Sequence, residues 1–454
     1  MGRERAVSPR MLRPIADGMR SRFAADAGAL TASGLVVAAI VIVQGVLLAR
    51  WLGPRAYGAV ALITAYPALV LALLSPESPH AAIRYLADRD AAGDVAGSLA
   101  VCRIAYLADL AVGAVTLLVV AATAGWAGEH VLHLDGAAGL LVLMALGLLV
   151  ASPAHAATAT LLFARRFRTI ASEQVANAVV RSALMIGFVA AGQGEVGAIR
   201  GAAAGYVLHG VVLAALASVE ERRRWGGSWL FDGDTRRLGP RRREMLRFLA
   251  WSDLGALLGT LTKQVDVLLL GWLAGPSEAG FYRLARSVSG LPGYLVGPLQ
   301  SAASPRLAQV WAAGEPLAAA LRRHVVLGAA FGSAGLAMLL VVPPIITGMA
   351  GAAFLPSVTM AQILLLGALC WLAGYWIRPA FMAIGEVRAW VGISVVVVAV
   401  SLALYGPAAA AWGGVGVAVV QAVVSGFGGQ ALATARLRRH LARHPSAMAP
   451  VGPG

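Results

Sequence analysis

Runs of about twenty uncharged, mostly apolar residues recur along the whole chain, and that recurrence constrains the fold more than any other feature. The first run, 28–49, follows a polar stretch, 1–27, with six arginines. No small-residue cleavage site follows it, so it reads as a retained membrane helix and not a signal peptide. Further runs lie near 57–75, 99–123, 137–163, 170–191 and 197–217, then near 250–273, 280–302, 324–346, 359–384, 389–410 and 413–435. Backbone groups in lipid must find partners within their own segment, so runs of this length are helices. The expected fold is an all-α, multi-pass integral membrane protein with about 12 transmembrane helices.

Composition agrees. Only 13% of the 454 residues are charged and 59% are hydrophobic, against roughly 25% charged in soluble domains. That excludes a soluble globular protein, a disordered chain and a basic nucleic-acid-binding domain. The net charge of +15 reads instead as topology. The N-terminus, 76–98, 164–169, 218–247, 304–323, 385–388 and the C-terminus hold 28 of the 37 basic residues. The intervening loops hold two, Arg50 and Arg55. Loops rich in Arg stay on the cytoplasmic side, so both termini are expected there, N-in and C-in. The two cysteines, Cys102 and Cys370, support neither a disulfide framework nor a CxxC site.

Six spans, a basic linker and six spans suggest two parallel repeats. Residues 47–58 read LLARWLGPRAYG and residues 268–282 read LLLGWLAGPSEAGFY. Trp51 matches Trp272, Gly53-Pro54 matches Gly275-Pro276, and Tyr57 matches Tyr282. Interior prolines follow, Pro67 and Pro292. Later matches keep the offset between 219 and 225, among them Arg84 with Arg306. The expected organisation is a cytoplasmic N-terminus (1–27), a six-helix half (28–217), an Arg-rich linker (218–247), a second half (248–435) and a tail (436–454). An even number of spans leaves the halves parallel, with a site at midplane between them. Pro67 and Pro292 are candidate hinges for rocking one half on the other, ordinary kink packing being the other reading.

The Gly-Pro…Tyr-Gly turn, the Asp-x-Leu-Leu-Leu-Gly…Ala-Gly-Phe-Tyr-x-x-Ala run at 266–285 and the Ala-Arg-x-Phe-Arg end of span four carry a family resemblance. Over about residues 25–435 the chain resembles the polysaccharide transporters of the multidrug/oligosaccharidyl-lipid/polysaccharide exporter superfamily. The resemblance implies a flippase of the bacterial inner (plasma) membrane. Its substrate would be a polyprenyl-pyrophosphate-linked glycan, and its pathway neighbours glycosyltransferases and a polymerase. The chain departs from that pattern in its almost Lys-free basic set and its longer, Arg-dense linker.

Ionisable groups inside a bilayer are costly and are functional candidates by default. Lys263 and Asp266, three residues apart, share a helical face. They either neutralise each other or present Lys263 to a substrate phosphate in a wet cavity. Arg283 and Arg286 also share a face and need an anion or water nearby. Arg84 and Arg306 stand at matching inner ends, where a guanidinium either binds phosphate bidentately or snorkels to headgroups. His155, in a kinked Ser-Pro stretch of span four, and Asp253 are candidates for coupling to H+ or Na+. His130, His133, Glu129 and Asp135 form a loop group for which solvation is the stronger reading, so no metal is assigned. The linker arginines suit anionic lipid better than nucleic acid. No phosphate-cradling loop or nucleophile–base set appears, which argues for a secondary transporter without cofactor and not an enzyme.

Two other functions compete. A cation-coupled multidrug exporter of the same fold needs carboxylates in the N-terminal half, where only Asp109 and Glu173 lie near membrane depth. A major-facilitator porter would carry a longer loop motif than Leu86-Ala87-Asp88-Arg89 provides.

Overall fold

A computed structural model describes residues 9–74, 79–232 and 254–443, with side chains placed for 28, 30–74, 82–232 and 264–443. Asp253, the Lys263 side chain and residues 233–247 of the linker lie outside the described residues. The described residues form helices and connecting turns, with no strand. In chain order these are α1 (Pro9–Leu74), α2 (Pro79–Ala91), α3 (Val95–Trp126), α4 (Ala138–Ala151), α5 (Ala154–Phe163), α6 (Phe167–Phe188), α7 (Gly194–Trp225) and α8 (Trp229–Asp232). There follow α9 (Leu254–Ala274), α10 (Pro276–Ser289), α11 (Gly293–Ala312), α12 (Leu317–Gly335), α13 (Met338–Ile345), α14 (Pro356–Ala373), α15 (Ile377–Ala383), α16 (Val387–Val420) and α17 (Gly429–Arg443).

Seven helical stretches are long and apolar enough to cross a membrane: Leu30–Leu74, Val95–Val131, Ala138–Phe163, Phe167–Trp225, Leu317–Ala350, Pro356–Ala383 and Val387–Arg443. Three of these are hairpins. A Cβ at Gly45 would sit 3.3 Å from the Tyr57 hydroxyl, whereas residues twelve apart on a straight helix are separated by about 18 Å. The fold-back point is Gly53, at φ 74° and ψ 174°. A Cβ built on Gly201 would fall 2.6 Å from the Met185 backbone nitrogen, after a reversal at Gly192 and Gly194. Tyr405 donates to Gln421 across a third reversal at Trp412–Gly413. The region expected to span at 280–302 behaves differently. It breaks between α10 and α11 at Gly290–Pro292, and neither piece is among the seven. Pro292 therefore marks a real interruption, whereas Pro67 sits in uninterrupted helix.

Several chain reversals recur at the spacing read from the sequence. Gly275 has φ 88° and ψ 172°, close to Gly53 at an offset of 222 residues. Gly413 has φ 55° and ψ −138°, close to Gly194 with φ 54° and ψ −143°. The positive φ excludes side chains at Gly53 and Gly275. The following proline requires an extended ψ and then begins the next helix. This geometry fixes the register: Gly58 lies opposite Gly280, so Tyr57 and Tyr282 are not equivalent positions.

The apolar interior is divided. One core joins N-terminal residues such as Leu62, Leu141 and Ile199 to C-terminal residues such as Leu270, Leu284 and Phe354. A second core, built on Leu86, Tyr106, Leu161 and Trp225, contains N-terminal residues only. The N- and C-terminal helices thus share packing toward the Gly58 end, and the second N-terminal core stands apart from the C-terminal helices.

Candidate functional site

The charged residues of α9 and α10 meet the N-terminal helices at one place. α10 begins at Gly275-Pro276 and runs with Tyr282, Arg283, Arg286 and Ser287 along its first three turns. Asp266 on α9 is 1% exposed. Its Oδ1 and Oδ2 each accept from Arg286 Nη1 at 2.8 Å. Oδ2 also accepts from the Tyr282 hydroxyl at 2.9 Å, and Oδ1 from the Val267 amide at 2.7 Å. A carboxylate this deep is tolerable only when paired and fully hydrogen-bonded. The structure pairs Asp266 with Arg286 on the next helix, while the Lys263 side chain, one candidate partner from the sequence, lies outside the described residues.

Arg283 is placed differently. It is half-buried and has no hydrogen bond or ion pair among the described residues. It lies within electrostatic range of Tyr57 and Tyr206 from the N-terminal helices, and of Arg286 and Asp266 from its own side. Tyr57 in turn lies beside Ser287. Arg181 of α6 stands over the Tyr206 ring, 5.6 Å from its centroid, within cation–π range. Gly205 on α7 makes room for the Arg181 stem, since a Cβ there would fall on it. Among the described residues the junction therefore holds Arg283 and Arg286 with one carboxylate, Asp266, while Arg181 stands over Tyr206, which Arg283 also approaches. Such a surplus attracts a phosphate or pyrophosphate, whose oxygens suit guanidinium geometry.

Other expected residues lie elsewhere. Arg84 on α2 and Arg306 on α11 are both exposed, and Arg306 is within electrostatic range of His324, which contacts the Tyr375 hydroxyl at 2.8 Å. His155 faces Asp109, whose Oδ2 accepts from the Ala156 amide at 2.9 Å. That places His155 in the core confined to the N-terminal helices. His130 and His133 contact backbone oxygens of Trp126 (3.2 Å) and Trp272 (3.0 Å).

A family model described as "Polysaccharide biosynthesis protein" matches residues 23–311. The chain belongs to this family. Among solved structures, this polysaccharide biosynthesis family member is similar to an inward-facing multidrug resistance MATE transporter of the MOP superfamily. The TM-score is 0.68 at 15% identity, over 90% of this chain and 96% of that one. It is also similar to the lipid II flippase MurJ in an inward closed conformation (TM-score 0.68, 11% identity, 90% and 87% covered). A MOP superfamily transporter from Pyrococcus furiosus gives a TM-score of 0.62 at 14% identity over 94% and 96%. At these identities the likeness concerns the fold. No curated protein sequence gives a match.

Two residues of the family member's junction carry no motif in the sequence, Arg181 and Tyr206, and Tyr57 appeared there only within the Gly-Pro…Tyr-Gly turn. One clue was present. Gly197, Gly201 and Gly205 repeat every four residues on α7, the small-residue spacing that lets helices approach closely. It points to α6, and so to Arg181. A second N-terminal pair is also new: His209 Nδ1 lies 2.8 Å from Glu173 Oε1.

Proposed function

We propose that this protein is a flippase that carries a phosphate-bearing, lipid-linked oligosaccharide or polysaccharide repeat unit across the bacterial plasma membrane by alternating access. The observation that carries the reading is, among the described residues, Arg283 and Arg286 beside the one carboxylate of Asp266 where N- and C-terminal helices meet, with Arg181 over the nearby Tyr206 ring. Arg283, unpaired among the described residues, is the first contact for the anionic head. Arg286 is held in place by Asp266, and Arg181 approaches from α6. In this reading the three hairpins and the remaining helices make twelve crossings in two six-helix halves, with both termini cytoplasmic. Lys263 adds to the positive lining, and Arg84 and Arg306 collect the headgroup at the inner mouth. Anionic lipids hold the linker, and H+ or Na+ drives the cycle, with His155 and Asp253 as coupling groups. Membership of a polysaccharide biosynthesis family supports the glycan.

The test replaces Arg283 and Arg181 singly with Ala and follows surface polymer in a strain lacking its own copy of the protein. Each variant is expected to cut export at least tenfold at equal membrane abundance. Full complementation by both refutes the reading. A second reading, a cation-coupled multidrug exporter, draws on the Glu173–His209 pair as a proton or cation site. Drug resistance without any effect on polymer favours it.

A further inference from the structure

The two Gly-Pro turns do more than reverse the chain. Gly58 lies four residues after Pro54, and Gly280 four after Pro276. A Cβ built on Gly58 falls on the carbonyl oxygen of Pro276, 2.7 Å from its carbon and 2.9 Å from the Gly280 amide nitrogen. A Cβ built on Gly280 falls on the carbonyl oxygen of Pro54, 3.1 Å from the Gly58 nitrogen and 3.2 Å from its Cα. The contact is reciprocal, so each glycine Cα–H points at the first-turn carbonyl of the other helix. The two helix starts therefore face each other across a local two-fold axis that passes between Gly58 and Gly280.

Three further contacts surround this point, and each crosses from N- to C-terminal helices. Phe354 is fully buried, edge-on to Tyr57 (centroids 6.0 Å, 81°) and to Phe281 (5.8 Å, 87°). His133 Nε2 lies 3.0 Å from the Trp272 carbonyl oxygen, with its own backbone at φ 52°, a conformation rarely adopted by non-glycine residues. Leu62 fills the space in front of Gly271. The core built on α2, α3, α5, α7 and their neighbours includes, among the described residues, no residue of the C-terminal helices.

We infer that the paired glycines form the gate that closes one end of the molecule, and that it opens when the two groups of helices tilt apart at that end. Among the described residues it is held by backbone contacts, apolar faces and the single His133 bond to the Trp272 carbonyl, none of which is an ion pair. The absence of side chains is the closing condition. A methyl at either glycine occupies the place of the opposing carbonyl, so it holds the gate apart and shifts the population to the opposite state.

The inference rests on the alternating-access reading, and its test needs no substrate. In a background with Cys102 and Cys370 replaced by Ser, Ser287→Cys places a thiol beside the junction. A membrane-impermeant maleimide is applied to right-side-out and inside-out vesicles. With both glycines intact, labelling is expected from one face only, the one opposite the Gly58 end. Gly58→Ala or Gly280→Ala is expected to raise labelling from the Gly58 face at least fivefold, while Gly297→Ala, which has open space for its methyl, leaves it unchanged. Unchanged labelling in folded glycine variants overturns the gate. Where those variants do not fold, His133→Ala serves, since removing the bond to Trp272 is expected to raise the same labelling, and its failure to do so overturns the gate equally. A wrong substrate assignment would leave these results intact and show only in the export assay.

Discussion

Asp266 takes every donor that reaches it, which makes it the residue whose loss is most informative. Removing its carboxylate strands Arg286 in a low-dielectric interior, a situation that costs about 3–5 kcal/mol. Asp266→Ala is therefore expected to lower the detergent-solubilised melting temperature sharply, read by intrinsic fluorescence. A double replacement, Asp266→Leu with Arg286→Met, removes both charges and is expected to recover most of that stability without recovering export. Recovery of both would assign the pair to folding alone. The sequence showed that α9 and α10 carry unusual charges, because ionised groups stand out in apolar runs. It did not show who pairs with whom. Lys263 is three residues from Asp266 and Arg286 is twenty away, yet helix contact brought the distant one. Arg181 was overlooked for the same reason: its significance lies in Tyr206 and Gly205 on another helix.

Among the elements, α2 and α7 are joined where a carboxylate meets two donors. Asp90 Oδ2 accepts from Arg224 Nη2 at 2.6 Å, and Asp90 Oδ1 accepts from the Trp225 indole at 2.9 Å. The Arg224 hydrogen bond first, and the Trp225 one second, hold the Asp90 carboxyl below the usual carboxylate range. A depressed carboxyl stabilises the fold above its ordinary pKa, and that stabilisation is lost as pH falls through the lower folded value. The α2–α7 contact is thus expected to be insensitive to pH near neutrality and to loosen only under acid. Wild-type and Asp90→Asn proteins should differ in melting temperature at pH 7 and converge as the pH falls through the lowered folded-state value. A constant difference across that range would contradict the assignment. Element boundaries were largely legible, since apolar runs and Gly-Pro pairs mark them. The break in the 280–302 region was less so, because Gly290, Pro292 and Gly293 are also common inside membrane helices. The pairing of Tyr57 with Tyr282 was misread by three residues, since identical side chains are weaker markers of register than the backbone-critical glycines.

At the scale of the whole molecule, the charge asymmetry and the hairpins together predict where each loop lies. Alkaline phosphatase fused after Gly351 is expected to be active, and fused after Arg443 inactive, in intact cells. The reverse pattern would invert the orientation and with it the side on which Gly58 and Gly280 sit. The all-helical, multi-pass fold was readable from hydropathy, a one-dimensional property of the chain, and membership of a polysaccharide biosynthesis family from the resemblance its Gly-Pro…Tyr-Gly, 266–285 and Ala-Arg-x-Phe-Arg motifs carry. The partition of the interior was not, because it depends on which apolar faces meet. That partition has a consequence for how this protein tolerates change. Variation at Leu86, Tyr106 or Leu161 disturbs packing that belongs to one group of helices, so it alters robustness and leaves the resting posture alone. Variation at Leu62, Leu270 or Phe354 touches a seam common to both groups, so under the alternating-access proposal even a well-tolerated replacement retunes how long each side stays open.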